Sequence, residues 1–75
     1  MITLNIGDIV KYREPFSGIK ITCKVTNIYD GNGHGFMRFD GRVIDSSSFI
    51  DHENCSCSVY DIYNVNGKDL KNERN

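Results

Sequence analysis

The residues most able to do chemistry sit in one short stretch, His52-Glu53-Asn54-Cys55-Ser56-Cys57-Ser58. One imidazole and two thiols within six positions suit a soft metal ion or a redox pair. With Cys23 as a distant fourth ligand, His52, Cys55 and Cys57 have the donor types of a tetrahedral zinc site. Strong zinc motifs pair their ligands on tight C-x₂-C knuckles, whereas this chain has a single C-x-C and no second pair. A redox thiol is normally activated by a helix N-terminus or a nearby cation. Here the flanking charges, Asp51 and Glu53, are anionic. The expectation is therefore a β-strand with no metal and no cofactor. In it Cys57 and Val59 line the core as small apolar residues, and Cys55 lies at the strand edge.

Other candidates fall away on spacing. His34 stands in the glycine loop Asp30–Gly35 with no partner identifiable nearby, so a solvated side chain is expected. Ser46-Ser47-Ser48 lacks the strand-turn-helix setting of a nucleophilic serine. Gly31-Asn32-Gly33-His34-Gly35 is too short for a phosphate-binding fingerprint, and no helical pattern follows it. No catalytic residue is assigned, and the protein is expected not to be an enzyme.

The elements that position these residues are short strands. The chain has 75 residues, nine Ile and eight Asn, and no Ala, Gln or Trp. Absence of the best helix former lowers any helical expectation. Ile9–Arg13 puts Val10 and Tyr12 on one face and Lys11 and Arg13 on the other. Glu14–Gly18 is a loop. Ile19–Val25 alternates cleanly, and the alternation slips at Asn27-Ile28, where a bulge is expected. Phe36–Phe39 and Arg42–Asp45 read as two strands joined by a tight turn at Asp40-Gly41. Phe49-Ile50 is expected to form a helical turn, and Cys55–Val65 a final strand.

These elements predict an all-β fold: a small five-stranded, strongly bent antiparallel barrel of the Src homology 3 type with one short helical turn. Residues 1–66 form the single domain, and 67–75 a polar tail that frays. The expected core is Val10, Tyr12, Ile21, Cys23, Val25, Phe39 and Val43. In the final strand, Tyr60 and Ile62 share the face opposite Val59, Tyr63 and Val65. That apolar surplus predicts a protein interface at Tyr60 and Ile62, with a target or in a homodimer.

The opening, Ile6-Gly7-Asp8-Ile9-Val10 through Gly18 to Val25, resembles the start of KOW and Tudor-like barrels. Gly7, Asp8, Val10, Gly18 and Val25 fit that pattern, while Cys23 stands where a glycine is expected. The resemblance covers about the first third of the chain. It implies a small barrel and contacts with RNA, nucleic-acid enzymes or peptides.

Charge bounds the function further. The net charge of −1 disfavours both a polyanionic nucleic-acid mimic and a generic polycation. Residues 1–39 hold five cations against three anions, and residues 40–67 one cation against five anions. No apolar run is long enough to span a bilayer, and Met1–Asp8 lacks signal-peptide features. A cytoplasmic location is expected, the host cytoplasm if the chain is phage-encoded, as its skewed composition suggests. The leading expectation is a non-enzymatic protein-binding module, a phage accessory protein that inhibits or redirects a host or defence protein. No small-molecule substrate is expected. The alternative is a KOW-like nucleic-acid-binding module that uses Lys11, Arg13, Lys20, Lys24 and Arg38 on one strand face, with Phe36 for stacking.

Overall fold

The computed structural model describes residues 4–29 and 38–70. The strand expected from Phe36, the stacking role of Phe36 and the loop His34 lie outside these residues. Within them the fold is all-β. The strands are β1 (Ile9–Arg13), β2 (Lys20–Tyr29), β3 (Arg38–Ser46), β4 (Asn54–Ser58), β5 (Ile62–Val65) and β6 (Lys68–Asp69), with a 3₁₀ turn at Val59–Asp61 between β4 and β5. They form one antiparallel sheet in the order β4-β3-β2-β1-β5-β6.

The expected barrel is loosened in two respects. The sheet is not closed, because β4 and β6 remain at its two edges. A sixth strand is also present. Asn66 and Gly67 both have positive φ, 53° and 87°. Two such residues make the type I′ turn whose twist matches that of the flanking strands. Lys68-Asp69 therefore folds back onto Asn64-Val65, inside the stretch read as a frayed tail.

Bulges bend the sheet. Val25 pairs with Gly41 and Asn27 with Asp40, so Thr26 is the extra residue, close to the expected slip at Asn27-Ile28. A second irregularity makes Ile44 the extra residue opposite Thr22-Cys23, and Ile44 is exposed. A bulge raises local twist and lets the strand curl over a core.

That core contains Leu4, Val10, Tyr12, Ile21, Cys23, Val25, Phe39, Cys55, Val59 and Ile62. Six of the seven expected core residues are almost wholly enclosed, and Val43 is partly buried against them. Tyr12 and Phe39 meet edge to face, with ring centroids 5.9 Å apart. Such pairs add roughly 0.5–1.5 kcal/mol beyond the area they bury.

Three local expectations are corrected. Asp40-Gly41 does not turn, and β3 runs straight through it. Phe49-Ile50 is not helical, and Phe49 is exposed. The helical turn instead interrupts the stretch read as one final strand. Ser58 caps it, accepting a hydrogen bond from the Tyr60 N–H at 3.1 Å.

Candidate functional site

Two surfaces draw on the candidate residues. The first is the outer face of β1, β2 and β3. Val10 and Tyr12 face the core, so their neighbours Lys11 and Arg13 face out. Ile21, Cys23 and Val25 are likewise inward, which leaves Lys20 and Lys24 outward. The register sets Arg13 directly opposite Lys20 and Lys24 directly opposite Arg42. Thus four of the five expected cations lie together, and Arg42 joins them. It escaped sequence reading because the supposed Asp40-Gly41 turn paired its strand with Phe36–Phe39 and not with Lys24 of β2. Among the described residues only Arg42 of this group has an ion-pair partner, Glu53 at 3.9 Å. Asp45, opposite Thr22, is the carboxylate within the cluster.

Arg38 belongs to the far end of the same sheet. It pairs with Tyr29, whose hydroxyl donates to Asp40 at 2.6 Å. That hydrogen bond to Asp40 holds the Tyr29 phenol above its ordinary value. The Arg38 guanidinium donates to the Ser56 carbonyl at 3.1 Å. The Glu53 carbonyl accepts from Val43 at 2.7 Å. Antiparallel alternation then turns the backbone groups of Asn54, Ser56 and Ser58 away from β3. Arg38 therefore covers an acceptor on the open edge of β4, a charged cover of the kind that discourages strand addition.

The second surface lies under β4. Cys55 opposes Gly41 and Cys57 opposes Phe39, so both thiols face inward. Cys23 enters from β2. A Cβ on Gly41 would come within 2.6 Å of the Cys23 Sγ and 3.3 Å of the Cys55 Sγ. Gly41 is what lets the two sulfurs approach across the intervening strand. All three thiols are free. Cys55 is the centre: the Cys23 Sγ approaches it across Gly41, and Tyr12 and Cys57 line a groove with it. In its neutral form its S–H donates to the Gly41 carbonyl at 3.5 Å. Hydrogen bonds from Cys23 and then Cys57 favour the Cys55 thiolate and lower its proton affinity. The bond to Cys55 and burial raise Cys23 and Cys57, and burial leads the rise at Tyr12.

The placement of the thiols reverses the sequence expectation. Cys55 is buried and Cys57 half-buried. The zinc set His52, Cys55, Cys57 and Cys23 is only partly assembled. The three cysteines converge, but His52 is exposed, with its Nδ1 3.8 Å from Asp51. Among the described residues no group of three donors is arranged to hold a metal. Sequence reading missed Tyr12 as a neighbour of the thiols, since it comes to line a groove with Cys55 and Cys57 only in the folded sheet.

Tyr60 and Ile62 do not share a face. Tyr60 is 72% exposed and Ile62 only 6%. The 3₁₀ turn is the reason. With three residues per turn it places Val59 and Ile62 on one side, whereas a strand would have alternated them. Extra residue Tyr63 then sets Asn64 opposite the outward Lys11, where its amide donates to Asp69 at 2.8 Å and accepts from Gly67 at 3.0 Å.

Together these features define an all-β sheet protein with a basic outer face and an inward-facing thiol cluster. Comparison with family models, curated proteins and solved structures yields no match. Among the described residues no helix is long and apolar enough to cross a membrane.

Proposed function

We propose that this chain is a non-enzymatic module that binds single-stranded nucleic acid on the outer face of β1–β3. The observation that carries the reading is the register of like charges, Arg13 against Lys20 and Lys24 against Arg42. Like charges directly opposite one another on a sheet destabilise it. Lys11 adds a further cation between the two pairs. A sheet that needed charge only for solubility would gain by alternating sign across strands. A polyanion running over these strands converts the repulsion into attraction and releases counterions. The outward Tyr29 ring, 44% exposed at the far end of the face, offers a surface on which a base can stack.

A second reading, the protein-docking module, draws on Phe16 and Tyr60, which are 97% and 72% exposed. Ile62 lends it no support from the core.

The test is fluorescence anisotropy with a single-stranded oligonucleotide across a salt series. Four phosphate contacts would give a log–log slope of about −3. Lys20→Glu combined with Lys24→Glu should abolish binding, while Lys68→Glu on β6 should leave it unchanged. Absent binding at low salt, or binding indifferent to salt and to the double substitution, rejects the nucleic-acid reading in favour of docking to protein.

A further inference from the structure

All three cysteines of the chain meet at one point, although they come from strands two apart in the sheet. Burial of a small apolar residue does not require that convergence. Nor does it require the Tyr12 hydroxyl beside them. The cluster is also reachable. Cys55 lines two open grooves of about 340 and 440 Å³, one shared with Thr26 and Asp40, the other with Tyr12, Glu14 and Cys57. Cys57 borders a third, beside Arg38 and Asp61.

We propose that Cys55 and Cys57 are a hydroperoxide-sensitive thiol pair, in which Cys55 is oxidised first and Cys57 resolves it. Cys55 takes the first step because it lies between the other two thiols, with the Cys23 Sγ across Gly41 and with Cys57 and Tyr12 on the same groove, and because it alone of the three lines both the first and the second groove. Donors aimed at one sulfur favour its thiolate, the nucleophilic form. Each groove carries a carboxylate: Asp40 in the first, Glu14 in the second, Glu14 and Asp61 in the third. Hydrogen bonds from the Ser17 and Phe16 amides keep Glu14 ionised. The two grooves that reach Cys55 therefore disfavour anionic oxidants and admit a small neutral peroxide.

The first step is attack of the Cys55 thiolate on one peroxide oxygen. The O–O bond breaks, the sulfur gives up two electrons and becomes a sulfenic acid, and the departing hydroxide takes up a proton as water. In the second step the Cys57 sulfur attacks the Cys55 sulfur. The S–O bond breaks, and the leaving hydroxide takes the Cys57 proton as a second water. Two thiols and one peroxide thus become one disulfide and two waters.

Geometry selects Cys57 over Cys23 as the resolving residue. Two positions along a strand separate Cα atoms by about 6.6 Å, at the long end of what a disulfide spans. Two strands across a flat sheet separate them by about 9.5 Å, and even a bent sheet must shift to close that gap. β4 is also the strand best able to adjust, since it is paired on one side only.

The experiment treats the intact chain with hydrogen peroxide and maps its thiols by mass spectrometry. Cys55 in the folded protein should react at least about tenfold faster than in the urea-unfolded chain at the same pH. The product should be a Cys55–Cys57 disulfide with Cys23 still a free thiol. Cys57→Ser should trap a sulfenic acid on Cys55, detectable with dimedone, and Tyr12→Phe should slow its formation. Oxidation no faster than in the unfolded chain, a disulfide that includes Cys23, or a dimedone adduct on Cys57 would overturn the proposal. Should Cys57→Ser not fold, the wild-type rate and disulfide map decide the matter alone.

Discussion

Asp40-Gly41 and Asn66-Gly67 are the same kind of dipeptide in sequence, and the fold uses them in opposite ways. At Asn66-Gly67 both residues take positive φ, and the chain reverses into β6. Asp40-Gly41 lies in the middle of β3, with Gly41 paired to Val25 on one side and Cys55 on the other. Glycine serves the first site through backbone freedom, and a Cβ on Gly67 would meet nothing within 4 Å. It serves the second through absence of volume, because two sulfurs occupy the space a side chain would need. A local signal for a turn is thus a statement about the backbone alone. Whether the turn forms depends on what packs against it.

The largest effect should come from Gly41→Ala. The added methyl group meets the Cys23 Sγ well inside van der Waals contact, and overpacking of this kind costs about 1–3 kcal/mol. The companion test is Cys23→Ala in the same chain. It removes the nearest clashing atom, so a double-mutant cycle from chemical denaturation should show favourable coupling. Strict additivity would mean that Gly41 is needed for its backbone and that the contrast with Gly67 is false.

Gly67→Ala should cost about 1–2 kcal/mol, the penalty for an L-residue in the left-handed region. No substitution of a neighbouring side chain should relieve it. An unchanged thermal midpoint would show that the turn tolerates a Cβ, and that β6 is not held by the type I′ geometry.

Asn66→Gly keeps the turn conformation and removes the side chain. That side chain accepts from the Ile9 amide at 2.9 Å and donates to Asp8 at 3.1 Å. The expected cost is about 0.5–1.5 kcal/mol, near that of one net hydrogen bond. Chemical shifts of the Ile9 amide should move more than those across β5 and β6. The opposite pattern would assign Asn66 to the turn alone.

The smallest effect concerns the outer face that β3 can complete only by passing straight through Gly41. Lys24→Glu replaces a like-charge pair with Arg42 by an attractive one. Stability should rise by no more than about 0.5 kcal/mol, and the gain should shrink in high salt. A loss of stability would mean that Lys24 makes folded-state contacts and that the face is not simply repulsive.

What could be read from the sequence rests on period and sign. Alternation located the inward Val10, Tyr12, Ile21, Cys23 and Val25, because a strand's side chains must alternate whatever lies beyond it. The same rule placed Lys11, Arg13, Lys20 and Lys24 on the opposite side. The slip near Asn27 was legible for the same reason. Tertiary structure decided what depends on neighbours distant in sequence. Arg42 joined the basic face only through its register with Lys24. Ile62 entered the core because a 3₁₀ turn broke the alternation that assigned it outward. The three cysteines became a cluster because Gly41 left room between strands two apart, and that vacancy belongs to the packed sheet and to no single segment of the chain.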